Sequence, residues 1–280
     1  MHTSIRTLLC GAALVAALST SAFADFRYTT ESTISVEGQT QPMMTTTTQV
    51  KGNNERVDMA MQMGPMKMQR TTITSCGTRQ RIEVSDAAHV YAAQAMNPLT
   101  SALGQADTRK KNRREHQQGT GKITTTLTIK DLGREKVGQF DTEHYVITMQ
   151  IESSGCAGSA NNEIKSEIWV APKAHTFYCP EMCKPEHVVE NDGCKVTYVM
   201  KGDLTRFAAI QQGLVVKRVC VLDGGSKMTM LVTAYEDNMT LDESTFNVPA
   251  GYNKVSPEEF ESAVMNAMMQ QMRRAPDSDQ

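Results

Sequence analysis

Turn chemistry cuts residues 26–84 into short pieces, and that spacing leaves little room for anything but an antiparallel meander. Lys51-Gly52-Asn53-Asn54, Gly64-Pro65 and Cys76-Gly77 each carry residues that favour tight turns. The runs between them (26–36, 44–50, 56–63, 67–74 and 79–84) carry Thr, Ile, Val and Met in strand-like patterns. β-Branched residues suit a pleated surface, and Gly, Asn and Pro end it. The rhythm resumes with candidate strands at 123–129, 143–151 and 163–170, with Asp131-Leu132-Gly133 expected as a turn. Residues 214–222 and 227–235 predict a hairpin across Asp223-Gly224-Gly225. Residues 95–121 interrupt the pattern; a short helix is expected within 95–106, with Pro98 restricting its start. Asp203 predicts the N-cap of another short helix, stopping before Gly213. One continuous antiparallel sheet over 25–255 is the expectation.

The tail changes period. Ser256-Pro257-Glu258-Glu259 reads as a helix start, with Ser at the N-cap, Pro at the first position and Glu three residues on. Phe260, Val264, Met268 and Met272 then recur every four residues, and Ala263 and Ala267 widen the stripe. An amphipathic helix over 256–274 with a frayed end to 280 is expected, lying on or beside the sheet's open mouth as a movable lid or as a homodimer contact, with a helix that permanently plugs the core as the alternative.

The opening residues read as a targeting segment. Arg6 gives the positive charge, residues 8–18 the apolar run, and Ala22-Phe23-Ala24 the small-x-small site, so cleavage is expected after Ala24. Leu9 before Cys10 stands where a lipid-anchored chain would carry a small residue. No later stretch is apolar enough to span a membrane. An exported, periplasmic chain follows.

Beyond Cys10 the cysteines are Cys76, Cys156, Cys179, Cys183, Cys194 and Cys220, an even set suggesting three disulfides. Local stapling is expected between 156 and 194, and a Cys76–Cys220 bridge across the sheet. Cys179 and Cys183 are separated by three residues rather than the two of thiol-exchange motifs, which favours a structural role. The net charge is −2, and removing Arg6 makes it one unit more negative. No global field for nucleic acid exists. The basic run at 109–114 reads as a solvated loop.

Two stretches resemble a known group of proteins. "GREKVGQFDTEHYVI" at 133–147 leads on to "SEIWVAP" at 166–172, and "LDESTFNVPAGYNKV" at 241–255 closes the β region. They resemble an exported bacterial family of unknown function, whose fold is similar to the outer-membrane lipoprotein carriers. The resemblance implies a mainly β, strongly curved, half-open antiparallel β-barrel. Short helices and a C-terminal helix would cover its concave apolar face. It transfers no ligand and no catalytic residue.

"MAMQMGPMKMQR" at 59–70 sets the functional question. In strands, Met59, Met61 and Met63 share a face, as do Met66 and Met68 beyond Gly64-Pro65. Thioethers suit Cu(I), and Met43-Met44 could add to them, but the segment has no His or Cys of its own. Methionine is also a flexible filler of apolar walls. The chain has 19 methionines but only 5% aromatics, so Met must supply much of its apolar bulk. No Gly-x-Ser-x-Gly, His-Glu-x-x-His or phosphate loop is present. Asp141, Glu143 and His144 lie close in sequence but read as strand-start surface.

The resulting expectation is a non-enzymatic binding or carrier protein, without cofactor, for a lipid or acyl chain. Its wall is expected to comprise Met59, Met61, Met63, Met66, Met68, Trp169, Phe260, Val264 and Met268. The alternatives are a methionine-based copper protein and an envelope module holding a partner protein's segment.

Overall fold

The computed structural model of the 280-residue chain describes residues 25–63, 66–96, 118–179, 186–191, 193–222 and 225–274. The targeting segment, nearly all of the helix expected in 95–106, the basic run at 109–114 and Cys183 lie outside the described residues. The first six strands are β1 (Asp25–Val36), β2 (Gln39–Lys51), β3 (Asn54–Met63), β4 (Met66–Ser75), β5 (Gln80–Ser85) and β6 (Val90–Ala95). They are followed by β7 (Gly119–Val137), β8 (Phe140–Gly155), β9 (Ala160–Ala171), β10 (Glu186–Asn191) and β11 (Cys194–Gly202). Helix α1 (Leu204–Ile210), β12 (Leu214–Val221), β13 (Lys227–Met239), a 3-10 turn (Glu243–Phe246), β14 (Asn253–Lys254) and α2 (Pro257–Arg274) complete the chain.

All the strands belong to one sheet in the order β10-β11-β7-β8-β9-β12-β13-β1-β2-β3-β4-β5-β6-β14. Among the described residues, only β11 on β7 and β14 on β6 run parallel. The sheet is open, as expected. The consecutive hairpins β1 to β6 are the meander that the turns predict.

Asp131-Leu132-Gly133 is not a turn. The strand continues through it to Val137, and a register shift between Asp131 and Gly133 marks a bulge against β8. Asp131 Oδ1 accepts the Gly133 N–H at 2.8 Å, so the turn-forming side chain closes a local ring while the ladder resumes beyond it. Asp203 also departs from expectation. It stands at the N-cap position, but its carboxylate accepts no helix N–H; Oδ2 accepts Ile129 N–H of β7 at 2.8 Å instead. Gly202 just before it has φ +89°, and a Cβ there would lie 2.1 Å from Leu127 O. A glycine is thus required where β11 leaves β7 and folds α1 back over the sheet.

The segment from 172 to 179 reports the curvature. After β9, the His175 ring lies 6.1 Å from that of Phe26 on β1, and the His175 N–H donates to Tyr235 Oη of β13 at 3.1 Å. Cys179 then bonds to Cys76 beyond the end of β4, with Cα atoms 5.9 Å apart. Strands β9 and β4 are six places apart, which in a flat sheet is roughly 29 Å. Eight residues reach about 26–29 Å fully extended, so the sheet curls toward this strap.

Three elements cover the concave face. Helix α1 packs Ile210 against Leu127, Ile129, Tyr145, Ile147, Ile168 and Val170. The strap lies over the Phe26 and Tyr28 end. Helix α2 sets Phe260, fully buried, on Val90 and Ala92 of β6. The convex face carries Leu241 and Phe246, packed on Ile73 and Val84.

Cys76 does not pair with Cys220. Cys76 follows β4 near the Phe26 end, whereas Cys220 pairs in register with Met228, itself opposite Ile34 near the other end. Register therefore holds the two apart. Cys156 bonds to Cys194, as the local stapling predicts, and Cys220 is a free thiol among the described residues. With these two bridges made, the third that the sequence leads one to expect would need Cys183, which lies outside the described residues. Burial pushes the Cys220 thiol pKa up, against the opposing pull of Arg218 and a hydrogen bond with Ser166, which disfavours the reactive thiolate.

Candidate functional site: a methionine-lined groove

A row of methionines crosses β2 to β4 at the end of the sheet away from the strap, on the concave face and beyond Arg70, where α2 meets β4. Counting outward from the turn pair Lys51↔Asn54 sets Met44 opposite Met61, and Met61 stands opposite Met68. The row continues through Ser32 of β1 to Met230 of β13. Alternation puts all of them on the face that bears Phe26 and Tyr28. Met59 shares that face two residues along, opposite Arg70.

The groove has a volume of about 860 Å³ and is lined by Ile34, Pro42, Met43, Met44, Ala60, Met61 and Met68 with polar Gln41, Thr45, Gln62, Gln69 and Lys67. That size is typical of small-molecule sites, about 300–1,000 Å³. Lys67, its one charged residue among the described lining, belongs by alternation to the other face of the sheet, as do Thr45, Ala60, Gln62 and Gln69. Exposed Val36, Val221 and Leu222 stand on hairpin tips at the same end. Sequence reasoning named Met43 and Met44 only in passing; the turn at 51–54, read as a register, would have placed Met44 beside Met61.

Of the expected wall, the groove collects Met61 and Met68. Met63 and Met66 pair across the turn, but their side chains lie outside the described residues. Trp169 is on the convex face, because Ile168 and Val170 on either side of it pack beneath α1. It is 5% exposed, stacked on His144 at 4.1 Å, with Lys217 Nζ 4.2 Å from its ring centre. Its Nε1–H donates to the Glu135 carboxylate. Phe260 and Val264 belong to the α2 plug over β6, and Met268 is half-buried farther along the helix. They lie outside the groove lining. The helix start is as read: Ser256 Oγ accepts Glu259 N–H at 3.2 Å, and Glu259 Oε2 accepts Ser256 N–H at 2.9 Å.

Arg70 ties the helix to the sheet. It donates to the Glu83 carboxylate and to Glu261 Oε1 at 2.7 Å, and its guanidinium lies 5.1 Å from the centre of the Phe260 ring. Toward the strap, burial pushes the Glu55 carboxyl up to about 7, with Arg81 pulling the other way. Burial, helped by Glu55, pushes the Tyr28 phenol up to about 12. Glu55 titrates at its ordinary 4.5 when unfolded, so the folded chain holds the proton more tightly. Stability should therefore fall as pH rises from about 4.5 to about 7 and be flat in this respect above it. Glu55→Gln is expected to remove that slope, measured by denaturant unfolding at several pH values; an unchanged slope would assign it to other groups.

Among the described residues, no group of three or more His, Cys, Asp or Glu could hold a metal ion, and no helix is long and apolar enough to cross a membrane. No family model matches the chain, and no curated protein does. Solved structures similar to it include PNGF-II at 10% identity and TM-score 0.41, over 87% of this chain and 33% of that one. The chain thus spans about a third of PNGF-II's length. A DUF1329 family protein from Desulfovibrio piger is similar at 9% identity and TM-score 0.34, over 82% of this chain and 92% of that one. A LolA superfamily protein from Nitrosomonas europaea is similar at 11% identity and TM-score 0.32, over 81% of this chain and 91% of that one.

Proposed function

We propose that the protein binds an apolar ligand, a lipid or acyl chain, in the methionine-lined groove. One observation carries the reading: Met44, Met61 and Met68 line an open groove and belong to none of the buried clusters. Met149, Met200 and Met239, by contrast, pack against those clusters. The groove methionines are not filling the core, and a flexible thioether wall suits ligands of varied shape. Transfer of an acyl chain from water to such a wall gains about 0.8 kcal/mol per CH₂ buried. Two disulfides fit an oxidising compartment, in keeping with the targeting segment expected at residues 1–24. The functional class is a carrier or binding protein rather than an enzyme.

A fluorescent acyl probe tests this. Met61→Leu keeps the apolar volume and is expected to leave affinity within about twofold, whereas Met61→Glu buries a charge and should weaken binding about tenfold or more. Equal affinity in the Met61→Glu variant, or no binding by the wild type, would reject the groove as the site.

A further inference from the structure

We infer that the groove floor is also a soft-metal site, and that Met44, Met61 and Met68 hold one Cu(I) ion. This goes beyond the apolar-ligand reading and does not rest on it. The three residues occupy directly opposed positions on β2, β3 and β4 and share one face. Opposed Cβ atoms on neighbouring strands lie about 4.5–5.5 Å apart, and a methionine carries its sulfur two bonds farther out on freely turning torsions. Met44 and Met68 can thus lean toward Met61 from either side, and the inward curl of the sheet brings them closer still. Three thioethers then meet above the central strand, an arrangement that suits a trigonal Cu(I) ion.

Chemistry selects the ion. Thioethers are soft, uncharged ligands with no proton to lose, so they prefer Cu(I) and offer little to Mg(II), Ca(II) or Zn(II). None of the groove-lining residues is a carboxylate, imidazole or thiol, so no harder ligand stands there to favour a divalent ion. The ordinary fate of methionine, packing, is already met elsewhere in this chain by Met149, Met200 and Met239. Among the described residues the main rival for Cu(I) is the free thiol of Cys220, which stands opposite Met228 near the same end of the sheet.

The test uses the full mature chain carrying Cys220→Ser, titrated anaerobically with Cu(I) against a weak chromophoric chelator. One equivalent of Cu(I) should be taken from the chelator, with X-ray absorption showing sulfur as the bound neighbour. Met61→Leu should weaken binding about tenfold or more, and Met61→Leu with Met68→Leu should abolish it, while a Met239→Leu control changes nothing. Leucine preserves volume, so these variants should fold; if the double variant does not, the single variant and the absorption spectrum decide. No uptake of Cu(I), uptake lost with Cys220→Ser alone, or uptake indifferent to Met61→Leu would each overturn the site. The acyl-probe assay on the same leucine variants separates the readings: it should be unaffected by them, so loss of copper binding with retained probe binding identifies the metal site specifically.

Discussion

Phe260→Ala is expected to destabilise the protein by about 3–5 kcal/mol, the usual cost of deleting a fully buried aromatic side chain. For a chain of this size that lowers the thermal midpoint by roughly 10 °C. The ring is 0% exposed, set on Val90 and Ala92 and overlain by the Arg70 guanidinium. Its removal leaves a void beneath an arginine whose Nε already has no hydrogen-bond partner among the described residues. The neighbouring pairs cannot easily close over that void, because Glu83 and Glu261 hold the guanidinium from either side. Met265→Ala, at a residue 55% exposed on the same helix, should change stability by about 0.5 kcal/mol or less. Denaturant unfolding of both variants checks the contrast. A Phe260→Ala cost below about 1 kcal/mol would mean that α2 is only loosely seated, as a mobile lid would be.

This plug also shows where the sequence was legible and where it was not. The four-residue spacing of Phe260, Val264 and Met268 and the capping pair Ser256 and Glu259 are local facts, so the helix and its apolar stripe could be read directly. What the stripe covers depends on β6, 170 residues earlier at Val90, and no local pattern specifies that contact. The hairpins β2 to β4 are equally readable, because each turn fixes the pairing on both sides of it, whereas β1 on β2 slips by one residue at Met43. Met44, Met61 and Met68 follow from two turns alone. Trp169 departs from the expected wall for a related reason: its size and apolar character suggest an inward position, but its alternating neighbours Ile168 and Val170 are the inward pair. A tryptophan can be buried on a convex face when His144, Lys217 and Glu135 close around it. At 131–133 good turn residues formed a bulge because sixteen pairings with β8 outweigh one local preference. The pairing of Cys76 turned on the path of the strap, which has no repeat and no strand period to announce it.

That strap supplies the second large effect. Cys76→Ala with Cys179→Ala should cost about 2–5 kcal/mol, since the bridge joins residues 103 apart in sequence and its loss frees a long loop in the unfolded chain. Replacing both residues avoids leaving an unpaired thiol at the strap in addition to that of Cys220. The Cys156–Cys194 bridge spans 38 residues and should matter less on the same reasoning. Cys179 is 4% exposed, so the bridge also seals the end of the concave face over Phe26 and Tyr28. The methionine groove lies at the opposite end and is lined only by residues of β1 to β4. The Cys76→Ala, Cys179→Ala variant should therefore lose stability while keeping its affinity for the acyl probe within about twofold, because the groove's own strands remain paired. Equal stability with and without the bridge would show that packing alone holds the strap. Loss of probe binding in a variant that remains folded would show instead that the groove depends on the curvature the strap maintains.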